Sequence, residues 1–356
     1  MHRHVPNTAA LEAVEGWRSP AQGLVPDWYV LADGLLGIRS TEEAFLTRLR
    51  SNYRECASSA GQSGPLPHVL CTVGRLEPRG AIVVEFEGAP PLGDPDFPRR
   101  ILTLRHRPTA SGRDGWWRVD PDHPVGEVAY SRDRVLIDGH GPWQSFVASL
   151  AVSRCLATQA GILFYHAAAN RVNGCGVLLL GVSGSGKTSV SLALASRGHA
   201  FYGDDIVGVR VPSQELVPLR RAAHVRQGPA GVGVRAALSS STSPSDSGQR
   251  IRADVGLLFP AAAARPARAD YVICLRRFAD RTRLERFRPN IEDVVWLTPH
   301  ASALAAGPVG RQAMRIVSLF AASRCFFLDS ASPESAADAL ERLTECTDDD
   351  ECARTR

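Results

Sequence analysis

Residues 177–188 read VLLLGVSGSGKT, and the fold class turns on this stretch. Val177 to Leu180 is a short apolar run of the kind a buried strand needs. Residues 181–188, GVSGSGKT, then satisfy G-x-x-x-x-G-K-[ST], the spacing of a phosphate-binding loop. Thr188 to Arg197 follows as a predicted helix, apolar at 190, 192, 194 and 195, with Gly198 as its stop signal. Strand, glycine loop and helix in this order predict an α/β domain with a nucleotide triphosphate held at the loop. Glycines let the backbone wrap around phosphate oxygens, and the N–H groups of the loop and helix start point at the anion. The candidate ATP-binding residues are Gly181, Ser183, Gly184, Ser185, Gly186, Lys187, Thr188 and Ser189.

Lys187 is the only lysine among the 41 basic Lys and Arg residues. A compact ammonium on a flexible stem reaches the β- and γ-phosphates in a way that an arginine fork does not. The Thr188 hydroxyl is a candidate Mg²⁺ ligand. Downstream, Ala200 to Gly203 is strand-like and ends in Asp204 and Asp205. In open α/β sheets ligands bind at that strand edge. One carboxylate can hold Mg²⁺ and the other can accept a proton from a hydroxyl; the residues alone do not assign the two jobs. A solvated Gly-Asp-Asp turn is the plainer alternative. His166, at the end of the apolar run 162–165, reads by itself as a satisfied core histidine.

Taken together, His166, residues 174–180 (GCGVLLL), the loop 181–188, residues 197–199 (RGH) and residues 203–205 (GDD) resemble the catalytic domain of bacterial HPr kinase/phosphorylase and its wider relatives. The resemblance is close over His166 to Val209 and looser, by order of elements, to about residue 345. It implies a kinase that phosphorylates a hydroxyl and a fold akin to phosphoenolpyruvate carboxykinase. It also implies a candidate catalytic set of Lys187, Asp204, Asp205 and His166, with Thr188 and Asp205 at the metal. Two features of the family pattern are missing. Residues 225–234 (VRQGPAGVGV) carry no acidic residue where the family has a Glu, and no Pro-Gly-Arg-Asn segment follows. HPr as acceptor and phosphorylase activity are therefore not carried over. The expected acceptor is a hydroxyl on a peptide, a protein or a small molecule.

The rest of the 356 residues bounds the reading. With 44% hydrophobic and 22% charged residues, the chain has a globular composition. No apolar stretch is long enough for a membrane helix; the best, Phe146 to Ala157, is broken by Arg154. No signal peptide is read, so the expected compartment is the cytoplasm, with cysteines reduced. A net charge of +4 with dispersed arginines argues against a nucleic-acid module. Residues 1–140 are expected to form a smaller, strand-rich α+β domain. Within it, residues 40–43 (STEE) form a capping box ahead of a helix, and strands lie near 68–73, 81–86, 101–105, 116–119, 127–130 and 135–137. Residues 141–346 form the kinase domain, entered by a helix at Trp143 to Ala160, and residues 347–356 a tail. Arg220, Arg221 and Arg226 read first as a solvated edge, although one of them could stabilise the transferring phosphoryl charge; the arginines between 276 and 288 read as a solvated hairpin or, if exposed, as a face for an anionic partner or a dimer mate. Residues 239–249 (SSSTSPSDSGQ) read as a flexible loop able to close over substrate. A homo-oligomer is compatible with all of this. The competing class is a nucleotide-binding ATPase or regulator with no acceptor but water.

Overall fold

In the computed structural model, residues 17–59, 69–77, 80–89, 108–111, 116–119, 127–130, 133–138, 143–226, 250–295 and 309–345 are described. The expected loop at 239–249, the strand at 101–105 and the tail lie outside them. The chain divides into two compact units, 1–160 and 161–356. The expected boundary at 140/141 is displaced because the helix at 143–157 belongs to the first unit.

Among the described residues, the first unit holds an eight-stranded sheet and two α-helices. Its strands are β1 (Asp27–Leu31), β2 (Gly34–Ser40), β3 (Val69–Leu76), β4 (Ala81–Gly88), β5 (Pro108–Ser111), β6 (Trp116–Val119), β7 (Glu127–Tyr130) and β8 (Arg134–Asp138). They run in the order β1-β2-β3-β4-β8-β7-β6-β5, antiparallel except for β2 beside β3. Helix α1 (Glu43–Asn52) makes that parallel crossover. The expected capping box is not what starts it. Glu42 occupies the N-cap without a side-chain bond, and the Ser40 hydroxyl accepts instead from the Glu42 N–H at 3.0 Å. Helix α2 (Trp143–Ala157) is buried along most of its length. Arg154, which breaks its apolar run, is 1% exposed. Its guanidinium donates to Asp133 at 2.6 Å and lies 5.1 Å from the Phe86 ring centre, so the buried charge is paired rather than left bare.

The second unit holds the predicted strand, loop and helix. Strands β9 (Ile162–Tyr165), β10 (Ala168–Val172) and β11 (Cys175–Gly181) lead into helix α3 (Lys187–Ser196), followed by β12 (Ala200–Gly203), β13 (Val207–Arg210) and β14 (Leu216–Val217). A hairpin of β15 (Ala223–Arg226) and β16 (Arg250–Ala253) precedes the one-turn helix α4 (Val255–Leu258). Then come β17 (Ala269–Phe278), β18 (Arg283–Arg286), α5 (Val309–Ala322), β19 (Arg324–Ser330) and α6 (Pro333–Glu345). The main sheet has the order β12-β10-β11-β17-β19-β18, and β11, β17 and β19 are parallel.

Period-two alternation sorts this sheet's side chains onto two faces. Val177, Leu179, Ile273 and Leu275 pack with Val190 and Leu194 of α3 and Leu340 of α6. Leu178, Leu180, Val272 and Cys274 pack with Ile316, Leu319 and Phe320 of α5, and with Tyr165, Val207 and Leu216 of a small second sheet. That sheet has the order β14-β13-β9.

The two sheets share a seam. Strand β10 pairs with β12 through Ala169 and Gly203, and β9 pairs with β13 through Tyr165 and Val207. The chain therefore passes between the sheets twice, side by side. One link is His166 and Ala167, and the other is Asp204 to Ile206.

Candidate active site

The loop leaves β11 at Gly181, whose φ is 147°. A Cβ there would lie 2.6 Å from the Leu275 carbonyl oxygen and 2.7 Å from Ser185 Oγ, so glycine is required by conformation and by space. Gly184 and Gly186 are also left-handed, at 87° and 97°, and Gly186 is the N-cap of α3. Ser183 and Gly184 are exposed; Gly186, Thr188 and Ser189 are half-buried. Ser185 is buried, and its Oγ has no hydrogen-bond partner among the described residues.

Lys187 is 6% exposed, and its Nζ donates to the carbonyls of Gly181 at 2.7 Å and Val182 at 3.2 Å. The ammonium is folded back onto its own loop. Burial pushes its pKa down, and the charges of Asp205 and Asp204 oppose that.

Helix α3 stops where the sequence places the stop. The His199 N–H donates to the Leu194 carbonyl and the Gly198 N–H to that of Ala195, a Schellman closure with Gly198 at φ 88°. Just beyond, Arg197 reaches Asp338 at 2.8 Å and Glu341 at 2.6 Å, and His199 meets Glu341 at 2.7 Å. The RGH segment thus ties the far end of α3 to α6. At mid-helix the fully buried Asn170 of β10 accepts from the Ser191 hydroxyl at 2.7 Å and donates to its carbonyl at 3.1 Å. These contacts hold the loop-bearing helix on the sheet.

The seam brings the remaining candidates together. Asp204 is 7% exposed, and its Oδ2 accepts from the Thr188 hydroxyl at 3.1 Å. Its Oδ1 is buried without a hydrogen-bond partner among the described residues. Burial is the main cause that pushes its carboxyl up to about 6, against the opposing charge of Arg221. Asp205 faces elsewhere. One oxygen lies 3.1 Å from His166 Nδ1, and the other accepts from the Arg221 guanidinium. The sequence expectation paired Thr188 with Asp205 at a metal. In the structure Thr188 meets Asp204 instead, because successive residues at the strand end point to different sides. Arg221 does not lie at a solvated edge but joins this cluster; of the two readings open for the arginines at 220, 221 and 226, it takes the one beside the candidate site. No local signal marks it, since its place depends on the Leu219 N–H donating to the Tyr202 carbonyl of β12. The Arg276 guanidinium, expected on a solvated hairpin, is paired with Asp329 and Glu285.

Among the described residues, no group of three His, Cys, Asp or Glu side chains is placed to hold a metal ion. No helix among them is long and apolar enough to cross a membrane. Cys71, Cys155, Cys175, Cys274 and Cys325 are free thiols.

Residues 158–226 match the family model described as the HPr Serine kinase C-terminal domain. That stretch contains His166, the loop, both aspartates and Arg221. The segment is HPr kinase-related. Similar curated proteins include HPr kinase/phosphorylase of Chlorobium limicola, 45% identical over 53 residues, and that of Chlorobium phaeovibrioides, 48% identical over 52 residues. Each match covers 15% of this chain and 16% of the relative. The chain thus spans about a sixth of the length of these HPr kinases. A solved structure, the Hpr(Ser) kinase/phosphatase from Coxiella burnetii, aligns over 31% of this chain and 63% of that chain, with 23% identity and a TM-score of 0.21.

Proposed function

We propose that the second unit is an ATP-dependent phosphotransferase acting on a hydroxyl, with a serine of a peptide or protein, or a small hydroxylated molecule, as acceptor. The observation that carries this reading is the seam, where Asp204 meets the loop's Thr188 while Asp205 meets His166. The HPr kinase-related segment supports the same reading. Lys187 exchanges its two loop carbonyls for phosphate oxygens, and the loop glycines leave room for them.

The residues present suit a Mg²⁺ ion. Asp204 keeps a buried oxygen that has no partner among the described residues, beside the Thr188 hydroxyl, and one or two protein ligands are what Mg²⁺ uses at phosphate sites. Thr188 and Asp204 would hold the ion, which neutralises phosphate charge and orients the phosphoryl group. Asp205 orients the acceptor hydroxyl. As the acceptor oxygen bonds to the γ-phosphorus and the bond to the β-phosphate oxygen breaks, the hydroxyl proton passes to Asp205. Positioning and charge supply most of the rate in such transfers.

The test uses ATP labelled in the γ-phosphate, Mg²⁺ and fractions of peptides, proteins and small metabolites, comparing the wild type with Lys187→Ala. Label should enter an acceptor with the wild type only. Label released only as inorganic phosphate would replace this reading with that of an ATPase.

A further inference from the structure

We infer that Arg221 is a positioning residue: it fixes the Asp205 carboxylate against His166 and so divides the two aspartates between two tasks. The inference rests on the phosphotransferase reading for its purpose, but not for its geometry.

Asp204 and Asp205 are neighbours in sequence with the same side chain. Burial and contacts tell them apart: Asp204 is buried and Asp205 half-buried. Asp204 turns toward the loop and Thr188. Asp205 is held from two sides, with His166 Nδ1 at one oxygen and the Arg221 guanidinium at the other. An aspartate with one anchored oxygen can still rotate about its terminal bond; with both oxygens engaged it has one orientation.

Arg221 can do this because its own backbone is placed by the sheet. The Leu219 N–H donates to Tyr202 at the end of β12, and the Arg221 N–H donates to the Leu219 carbonyl in a tight turn. The side chain is four-fifths buried, with 21% exposure, so the pair is screened less than a surface ion pair. The same guanidinium is also the largest charge opposing the upward push on Asp204. One arginine therefore serves both carboxylates, gripping one and moderating the other. Without it, both aspartates would be free to turn toward the same cation, and the hydroxyl would lose the group that orients it.

Two readouts test this in the full chain, with Arg221→Gln and the charge-keeping Arg221→Lys. The first does not need turnover. In ¹⁵N-histidine spectra the His166 ring signals, assigned by their loss in His166→Gln, should shift in Arg221→Gln and return most of the way in Arg221→Lys. An unmoved ring in Arg221→Gln overturns the inference.

The second readout separates binding from chemistry, using Mg-ATP and release of labelled phosphate to water. Arg221→Gln should keep ATP affinity within about threefold, yet lose 10- to 100-fold in turnover, with partial recovery in Arg221→Lys. Equal losses of affinity and turnover, unrelieved by lysine, would mean that Arg221 only supports the fold, and would also overturn it. If the wild type binds no ATP while the ring shift follows the predicted pattern, the phosphotransferase reading fails and the clamp on Asp205 stands.

Discussion

At the scale of single residues, Asp204 carries the largest tension in the site. Its carboxyl is displaced from the usual 3.8 to about 6, so the native chain binds a proton there more tightly than the unfolded chain does. Between about pH 4 and pH 6 the native state holds more protons, and stability must fall as pH rises through that window. At neutral pH the full offset is about 3 kcal/mol. Asp204→Asn should therefore raise the denaturation midpoint at pH 7.5, by the equivalent of about 1 to 3 kcal/mol, and flatten the acid limb of stability against pH. The same variant should lose phosphoryl transfer by orders of magnitude. A urea titration at pH 5 and pH 7.5 checks the first claim; a midpoint that falls at pH 7.5 would count against it. The sequence carried the identities of these residues well, because the glycine spacing, the sole lysine and the Asp pair are local signals. It did not carry the partnership of Thr188 with Asp204, which depends on which way a side chain faces beyond a strand end, nor the choice of Arg221, which depends on a long-range bond from Leu219 to Tyr202.

At the scale of elements, helix α3 is fixed at its far end by the bonds of Arg197 and His199 to Glu341 on α6. Glu341→Gln should weaken the second unit by roughly 0.5–1 kcal/mol, the range for partly exposed ion pairs, and leave ATP affinity unchanged. Equilibrium unfolding and calorimetric ATP titration read the two quantities, and a large loss of affinity would show that the tether reaches the loop. Helix α6 itself was legible: Ser332 accepts from the Ser335 N–H at 3.0 Å, and Pro333 stands at the first helical position, as the sequence pattern requires. Strands β1 and β2 were not legible. Residues 27–40 (DWYVLADGLLGIRS) lack clean alternation, and their pairing with each other and with β3 decides their state. The capping box at 40–43 misled because its Ser hydroxyl is drawn to the N–H two residues on, a common alternative for serine before a helix.

At the scale of the whole molecule, every residue of the candidate site falls between 166 and 221, inside the unit 161–356. Among the described residues, every sheet draws its strands from one unit alone. Residues 161–356 produced alone should therefore bind Mg-ATP with an affinity within about threefold of the full chain. Loss of binding in a fragment that melts cooperatively would show that the first unit contributes to the nucleotide site. The α/β character of the second unit was legible from one strand, one loop and one helix. The division at 160/161 was not, because α2 is apolar on most sides and would suit either unit until its packing partners are known.

The paired links between the two sheets have a consequence for how such chains can vary. Side chains alternate along a strand, so adding or removing one residue in a link turns every residue beyond it to the opposite face. A deletion at Ala167 would swap the buried faces of β10, and an extra residue at Ile206 would do the same to β13. Length is thus locked at these two short joints, while surface turns elsewhere can grow or shrink freely. In a set of homologous sequences, gaps should be depleted at 166–167 and 204–206 even where the flanking strands have changed most of their amino acids.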